Sequence, residues 1–236
     1  LDKFAESDSD DDFDDSEVSN STESLTIQNV IRDQGDLGFI DDEDPEEKEI
    51  FARRSKLDEL TRELITNLHL LKLGIQSNVL LTYLKRILEI LKEEPSVRSA
   101  IISQQGVMPV IEILEFSHVD DIEVPRSLLS IIYEMCVGQS QIKENFCLLG
   151  GIPPVMKFLE NNIDLNCRQS AVNILSEICN QSQDNTQMFI ACNGVSALVK
   201  ILTYNIETEK QMISIALQTI MNIFSSQRAT QQADFC

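Results

Sequence analysis

Six cysteines, two histidines and a dense run of carboxylates are the side chains of this 236-residue chain with the reactivity to carry chemistry. Cys136, Cys147, Cys167, Cys179, Cys192 and Cys236 could supply thiolates, with His69 or His118 as ligand or base. Zinc needs such ligands clustered at short spacing. Successive cysteines here stand 11, 20, 12, 13 and 44 residues apart, with no Cys-x-x-Cys. A nucleophile needs a histidine held by a third group, and both histidines read better as helix-surface or turn residues. Phosphate-binding loops need several glycines in close succession. The near neighbours Gly35/Gly38 and Gly150/Gly151 lie in no such frame. The kinase signatures His-Arg-Asp and Asp-Phe-Gly are absent, and the closing Asp234-Phe235-Cys236 has the wrong third residue. The expectation is therefore no catalytic residue, no metal and no cofactor.

The carboxylates are concentrated at one end. Residues 1–50 hold 19 acidic and 3 basic side chains, a net of −16, so residues 51–236 carry only −4 of the total −20. A run such as Asp10-Asp11-Asp12-Phe13-Asp14-Asp15 repels itself and buries too little to offset the entropy of folding. Residues 1–50 are expected to be a disordered acidic linker, with no preorganised geometry for acid–base work. Leu37, Phe39 and Ile40 are its apolar exceptions. Asp10 and Asp12 lie three residues beyond Ser7 and Ser9, which makes these serines candidate sites for an acid-directed kinase. The folded remainder lacks the basic footprint that nucleic acid requires. No apolar stretch is long enough to span a bilayer. Without an initiator Met or a signal segment, the chain reads as an internal or C-terminal fragment of something longer. Its cysteines mostly fall on apolar helical stripes, where they act as small reduced hydrophobes of a cytoplasmic protein.

What remains is helical and periodic. Leu57, Leu60, Leu64, Leu68 and Leu71 form an amphipathic stripe, which Gly74 ends. Gly106, Gly151 and Gly194 stand 45 and 43 residues apart, inside matching segments. Gly106-Val107-Met108-Pro109-Val110 aligns with Gly151-Ile152-Pro153-Pro154-Val155 and with Gly194-Val195-Ser196-Ala197-Leu198. Seventeen residues before each glycine stands Glu89, Glu134 or Glu177, and Asn222 falls at the next place. Each unit reads as a short helix, a glycine break, a second helix and a longer third helix. The glycine supplies a positive φ or a close approach, and Pro109 and Pro153 sit in a first helical turn, where a missing N–H costs nothing. The period matches the roughly 40–47 residues of armadillo and HEAT units, and three helices with a glycine turn favour armadillo. The expected fold is an all-α, right-handed α-solenoid over residues 51–236. It comprises a partial unit at 56–92, units at 94–138, 139–181 and 182–225, and a capping tail at 226–236.

The segments LEILKEEP (88–95), IISQQGVMPVIEILE (101–115), LLGGIPPVMKF (148–158) and TQMFIACNGVSAL (186–198), with the terminal Ala233-Asp234-Phe235-Cys236, carry a family resemblance. From about residue 44 onward the chain resembles the non-catalytic armadillo region of septation-initiation serine/threonine kinases and the related epsilon-type MAP kinase kinase kinases. It departs from that pattern at Asn180, Gln183 and Asn185. In that family the kinase domain precedes an acidic linker, and the repeats follow. The resemblance implies a regulatory and targeting role in cytokinesis, a Ras-like small GTPase or a scaffold as partner, and a spindle-pole or division-site location.

A stand-alone adaptor or transport receptor of the importin or catenin sort is the other reading. Importin-type repeats grip basic peptides with a Trp-x-x-x-Asn ladder on the third helix. This chain has no Trp. At the aligned places it carries Lys85/Glu89, Ser130/Glu134, Asn173/Glu177 and Gln218/Asn222. Residues four apart share a helix face, and stacking would align these pairs into a weakly acidic protein-binding stripe on the concave surface.

Overall fold

A computed structural model describes the backbone of residues 45–117 and 122–233 and the side chains of 46–117 and 122–226. The expectations for residues 1–44 of the acidic linker, and for Ser7, Ser9, His118 and Cys236, lie outside these residues, while residues 45–50, expected to be disordered, are helical. Compact units divide at Glu47/Lys48, and the second of them holds the repeats.

All regular structure among the described residues is helical. The order is α1 (Pro45–Leu70), α2 (Ser77–Glu93), α3 (Ser99–Ser103, entered through a 3₁₀ turn at Pro95–Arg98), α4 (Val107–Phe116) and α5 (Glu123–Cys136). Then come α6 (Ser140–Leu148), α7 (Ile152–Met156, leaving through a 3₁₀ turn at Lys157–Leu159), α8 (Leu165–Cys179), α9 (Gln183–Ala191), α10 (Gly194–Ile201) and α11 (Ile206–Ala233). α2, α5, α8 and α11 are the third helices, and each packs on the next to make one continuous layer. The shorter helices pack against this layer, and a single apolar core runs through all the units. Each unit exposes its apolar stripe until its neighbour covers it, which is why such units are stable only in a stack.

The repeat glycine acts through close approach. Gly106 and Gly151 both have φ −69. The left-handed residue is the one before: Gln105 at φ 54, Gly150 at φ 80 and Asn193 at φ 63. That residue ends the first helix with a reversed turn, and Gly106 and Gly151 then bond back to Ile101 O and Phe146 O at 2.8 and 2.9 Å. A Cβ on Gly151 would enter the ring of Phe146, and one on Gly194 the ring of Phe189. Both rings are buried, so only a residue without a side chain lets them lie flat under the turn.

Two boundaries differ from the apolar pattern. α1 begins at Pro45, well before the leucine stripe. Its first turns are built from Glu, Lys, Arg and Ala, strong helix formers, with Glu46 and Glu47 in the first turn and an Arg53–Glu49 pair at 2.8 Å. Those turns bury nothing, so no apolar period marks them: Ile50 and Phe51 are exposed. At the other end, the expected capping tail begins as helix. The backbone continues α11 as helix through Ala233.

Candidate protein-binding surface on the third-helix layer

The third helices are amphipathic because one side meets both the shorter helices and the neighbouring third helix. α2 buries Leu80, Leu84, Ile87, Ile90 and Leu91. α5 and α8 bury matching sets around Leu128 and Leu129, and around Ala171 and Val172. α11 buries Met212, Ala216, Ile220 and Ile223. The ladder pairs lie off this buried side, exposed on α2 and α11 and half-buried on α5 and α8.

Those pairs have unequal duties. Lys85 and Glu89 are exposed, and Glu89 accepts from Arg86 Nη1 at 3.3 Å. Arg86 in turn forms a two-bond pair with Glu63 at 2.6 and 2.7 Å. That contact raises the guanidinium's pKa and holds Glu63 below the usual carboxylate range. Gln218 Nε2 donates to Asn222 Oδ1 at 2.9 Å on an exposed face. Ser130 donates to Arg126 O at 2.9 Å, and Asn173 Oδ1 accepts from Gln169 at 3.2 Å.

Glu134 and Glu177 are engaged inward. Arg98, buried at the entry to α3, donates from Nη2 to Glu134 at 3.1 Å and from Nη1 to Val137 O at 3.4 Å. Lys143, buried on α6, repeats the arrangement one period later. Its ammonium donates to Glu177 Oε1 and Glu177 O at 3.2 Å and to Asn180 O at 3.1 Å. Glu177 Oε1 also accepts from Gly138 N–H at 3.1 Å, tying one unit to the next. In these two units a basic side chain at or just before the first helix thus neutralises the glutamate and satisfies carbonyls at the third helix's C-terminus. The carboxylates that made the ladder look acidic are paired, so the outward stripe is close to neutral. Spacing could have disclosed this. Arg98 and Lys143 each stand eight residues before a repeat glycine, as regularly placed as the glutamates they meet. In the last unit those places hold Thr186 and Asn222, and the ion pair is gone.

A second series joins units at the starts of the third helices. Arg126 Nη2 meets Asp164 at 3.3 Å. Burial pushes the Asp164 carboxyl up, but N–H bonds from Cys167 and Asn166 and the Arg126 guanidinium hold it below its ordinary value. Asp164 is also the N-cap of α8. Arg168 makes two bonds to Glu209, both at 2.9 Å, within a buried pair. Its Nε donates to Ile163 O at 3.1 Å, and its guanidinium stands 5.3 Å from the Tyr204 ring centre.

Among the described residues the cysteines and His69 do not converge. His69 is exposed and its Nε2 lies 3.2 Å from Gln104 O. The described cysteines are free, with Cys136, Cys147 and Cys167 buried. Burial pushes the Cys147 thiol up to about 12 and that of Cys167 to about 11. Among the described residues no group of three or more His, Cys, Asp or Glu is placed to hold a metal, and no helix is long and apolar enough to cross a membrane.

No protein-family profile matches the chain. The whole chain aligns over 260 positions at 26% identity with the cytokinesis protein sepH of Aspergillus terreus, and equally with that of Emericella nidulans, spanning 19% of each. It is 27% identical over 154 residues to MAP3K epsilon protein kinase 1 of Arabidopsis thaliana, covering 64% of this chain and 11% of that protein. An engineered protein superposes with a TM-score of 0.59 at 21% identity, over 69% of this chain and 62% of its own. A designed armadillo repeat protein, solved in complex with a (KR)4 peptide, gives 0.54 at 16% identity over 71% and 70%. The armadillo repeats only protein from Plasmodium falciparum gives 0.54 at 15% over 72% and 78%. With its period, its glycine turns and its layer of third helices, the chain has the armadillo-repeat fold.

Proposed function

We propose that this chain is the protein-binding, regulatory and targeting part of a serine/threonine signalling kinase that acts in septation or cytokinesis. The observation that carries the reading is the match along the whole chain to sepH, a cytokinesis protein. The similarity to a MAP3K epsilon kinase supports the kinase context. On this reading phosphate transfer belongs to another part of the polypeptide, and this part contributes recognition and a cytoplasmic, division-site or spindle-pole location. The contact surface is the outward third-helix stripe of Lys85, Glu89, Ser130, Asn173, Gln218 and Asn222, with Glu134 and Glu177 supporting it from beneath. Because its carboxylates are paired, the stripe suits a polar segment bound by hydrogen bonds, presented by a scaffold or a Ras-like small GTPase. Importin-like capture of a basic peptide is disfavoured by the absence of Trp.

The test is removal of residues 48–236 from the full-length protein in its own cells. Kinase activity of the purified truncated protein should persist, while its accumulation at the division site is lost. Undiminished accumulation would overturn the targeting role.

A further inference from the structure

At the later junctions between third helices an ion pair ties the starts of the two helices together. Arg126 of α5 meets Asp164 before α8, and Arg168 of α8 meets Glu209 of α11. The first junction, α2 to α5, has no such pair among the described residues. Arg126 and Arg168 are each the fourth residue of their helix, and that place in α2 is Leu80. Asp164 is the residue before α8, and that place before α5 is Ile122. Two apolar residues thus stand where a cation and a carboxylate close a later junction, and this one stays open.

The opening is a groove of about 310 Å³, near the lower end of the roughly 300–1,000 Å³ of ligand sites. Leu73 and Ile75 of the α1–α2 link, Leu80, Phe116 of α4 and Val124 of α5 give it apolar walls. Described elements of two consecutive units form its sides, so it is not the open end of the stack. Leu73 and Phe116 are 53% and 63% exposed, and large apolar side chains left uncovered together mark an interaction site. Lys72 is the only charged side chain among the described residues lining the groove. It is exposed and pairs with no carboxylate among them. Glu112 and Glu115 of α4 do not line the groove, and Glu123 is taken by Arg126. An occupant must therefore bring an apolar side chain for the walls and a negative charge for Lys72. That is the charge the later junctions receive from Asp164 and Glu209, whereas a basic segment would leave Lys72 facing its own sign.

We propose that this groove docks a segment of a partner protein in which a large apolar residue stands beside an aspartate or glutamate. The apolar side chain lies between Leu73 and Phe116, and the carboxylate accepts from the Lys72 ammonium in a charge-assisted bond. The contact is separate from the outward third-helix stripe and can hold or fail without it.

Fluorescence anisotropy on the full 236-residue chain tests this. The probes are fluorescein-labelled Gly-Ser-Phe-Glu-Leu-Glu-Ser-Gly and the same peptide with lysine in place of both glutamates. Salt at about 0.15 M confines charge effects to about 8 Å and so screens the field of the acidic linker. The acidic probe should half-saturate below about 1 mM, the strength of a weak specific contact. The lysine probe should not bind the wild-type chain. Lys72→Glu should bind the acidic probe at least about tenfold more weakly and take up the lysine probe instead. Phe116→Ser should bind neither. Both variants should keep the wild-type melting curve, because the two side chains are exposed. A wild-type chain that leaves the acidic probe free, or binds the lysine probe as well, would overturn the proposal. So would a Lys72→Glu variant that holds the acidic probe as tightly as wild type. A dimer of the unmixed chain in sedimentation velocity, lost in Leu73→Ser, would give the groove to a second copy and overturn it too.

Discussion

Four basic side chains hold the units in register, and each is placed by the repeat. Arg98 and Lys143 close the C-terminal ends of third helices, while Arg126 and Arg168 bridge from one third helix to the start of the next. The Arg168–Glu209 pair is the most enclosed. Breaking a buried pair strands the remaining charge, at a cost of about 3–5 kcal/mol. Glu209→Ala should therefore lower the unfolding midpoint far more than Glu123→Ala, whose exposed pair with Arg126 contributes at most about 1 kcal/mol; chemical denaturation of the two variants makes the comparison. Asp164 carries a pH signature. Its folded pKa is depressed, so its contribution is fully present above about 3.9, the unfolded value, and is lost as pH falls through the lower folded value. Asp164→Asn should be less stable than wild type at neutral pH, and the difference should narrow below about pH 4 in acid titrations followed by circular dichroism. The thiols make the third case. With Cys147 at about 12, only about one thiol in ten thousand is ionised at pH 8. Iodoacetamide should leave Cys136, Cys147 and Cys167 unlabelled in the native protein and modify them rapidly in denaturant.

At the level of the element, the glycine turn decides how closely the first helix approaches the second. Gly194→Ala would force a methyl group into the buried Phe189 ring, an overpacking that costs about 1–3 kcal/mol. Adding Phe189→Leu should recover part of that loss, and a double-mutant cycle in urea measures the coupling. The glycines were legible from spacing alone, since three matching segments at 45 and 43 residues leave little choice of fold. Their geometric role was less legible. Gln105 and Asn193 take the left-handed conformation that glycine usually signals, and the signal falls one residue late. The early start of α1 was invisible to apolar periodicity because its first turns bury nothing. The ladder itself followed from the repeat, but the pairing of Glu134 and Glu177 did not. Their partners lie on other helices, and an acidic residue looks the same in sequence whether it faces solvent or a buried lysine.

As a whole, the molecule is a stack whose units differ in how firmly they are fastened. The units containing α5 and α8 have a buried cation beneath the third helix. In the last unit Thr186 and Asn222 replace that pair, and Asn185 is buried with neither side-chain polar atom bonded. Unpartnered buried amides are costly, so hydrogen exchange should be faster in α9 and α10 than in α5 and α8. The stripe across the four third helices is the surface on which the proposed function rests, and it can be altered without touching the ion pairs beneath. The variant Lys85→Glu, Gln218→Lys, Asn222→Lys changes exposed side chains alone. Its most direct measurement is division-site fluorescence of the tagged full-length protein in its own cells, alongside the melting curve of the purified chain. The melting curve should shift little, within the roughly ±0.5 kcal/mol of ordinary surface changes, while division-site fluorescence falls to the cytoplasmic background. A folded variant that still gathers at the division site as wild type does would contradict recognition through the third-helix layer.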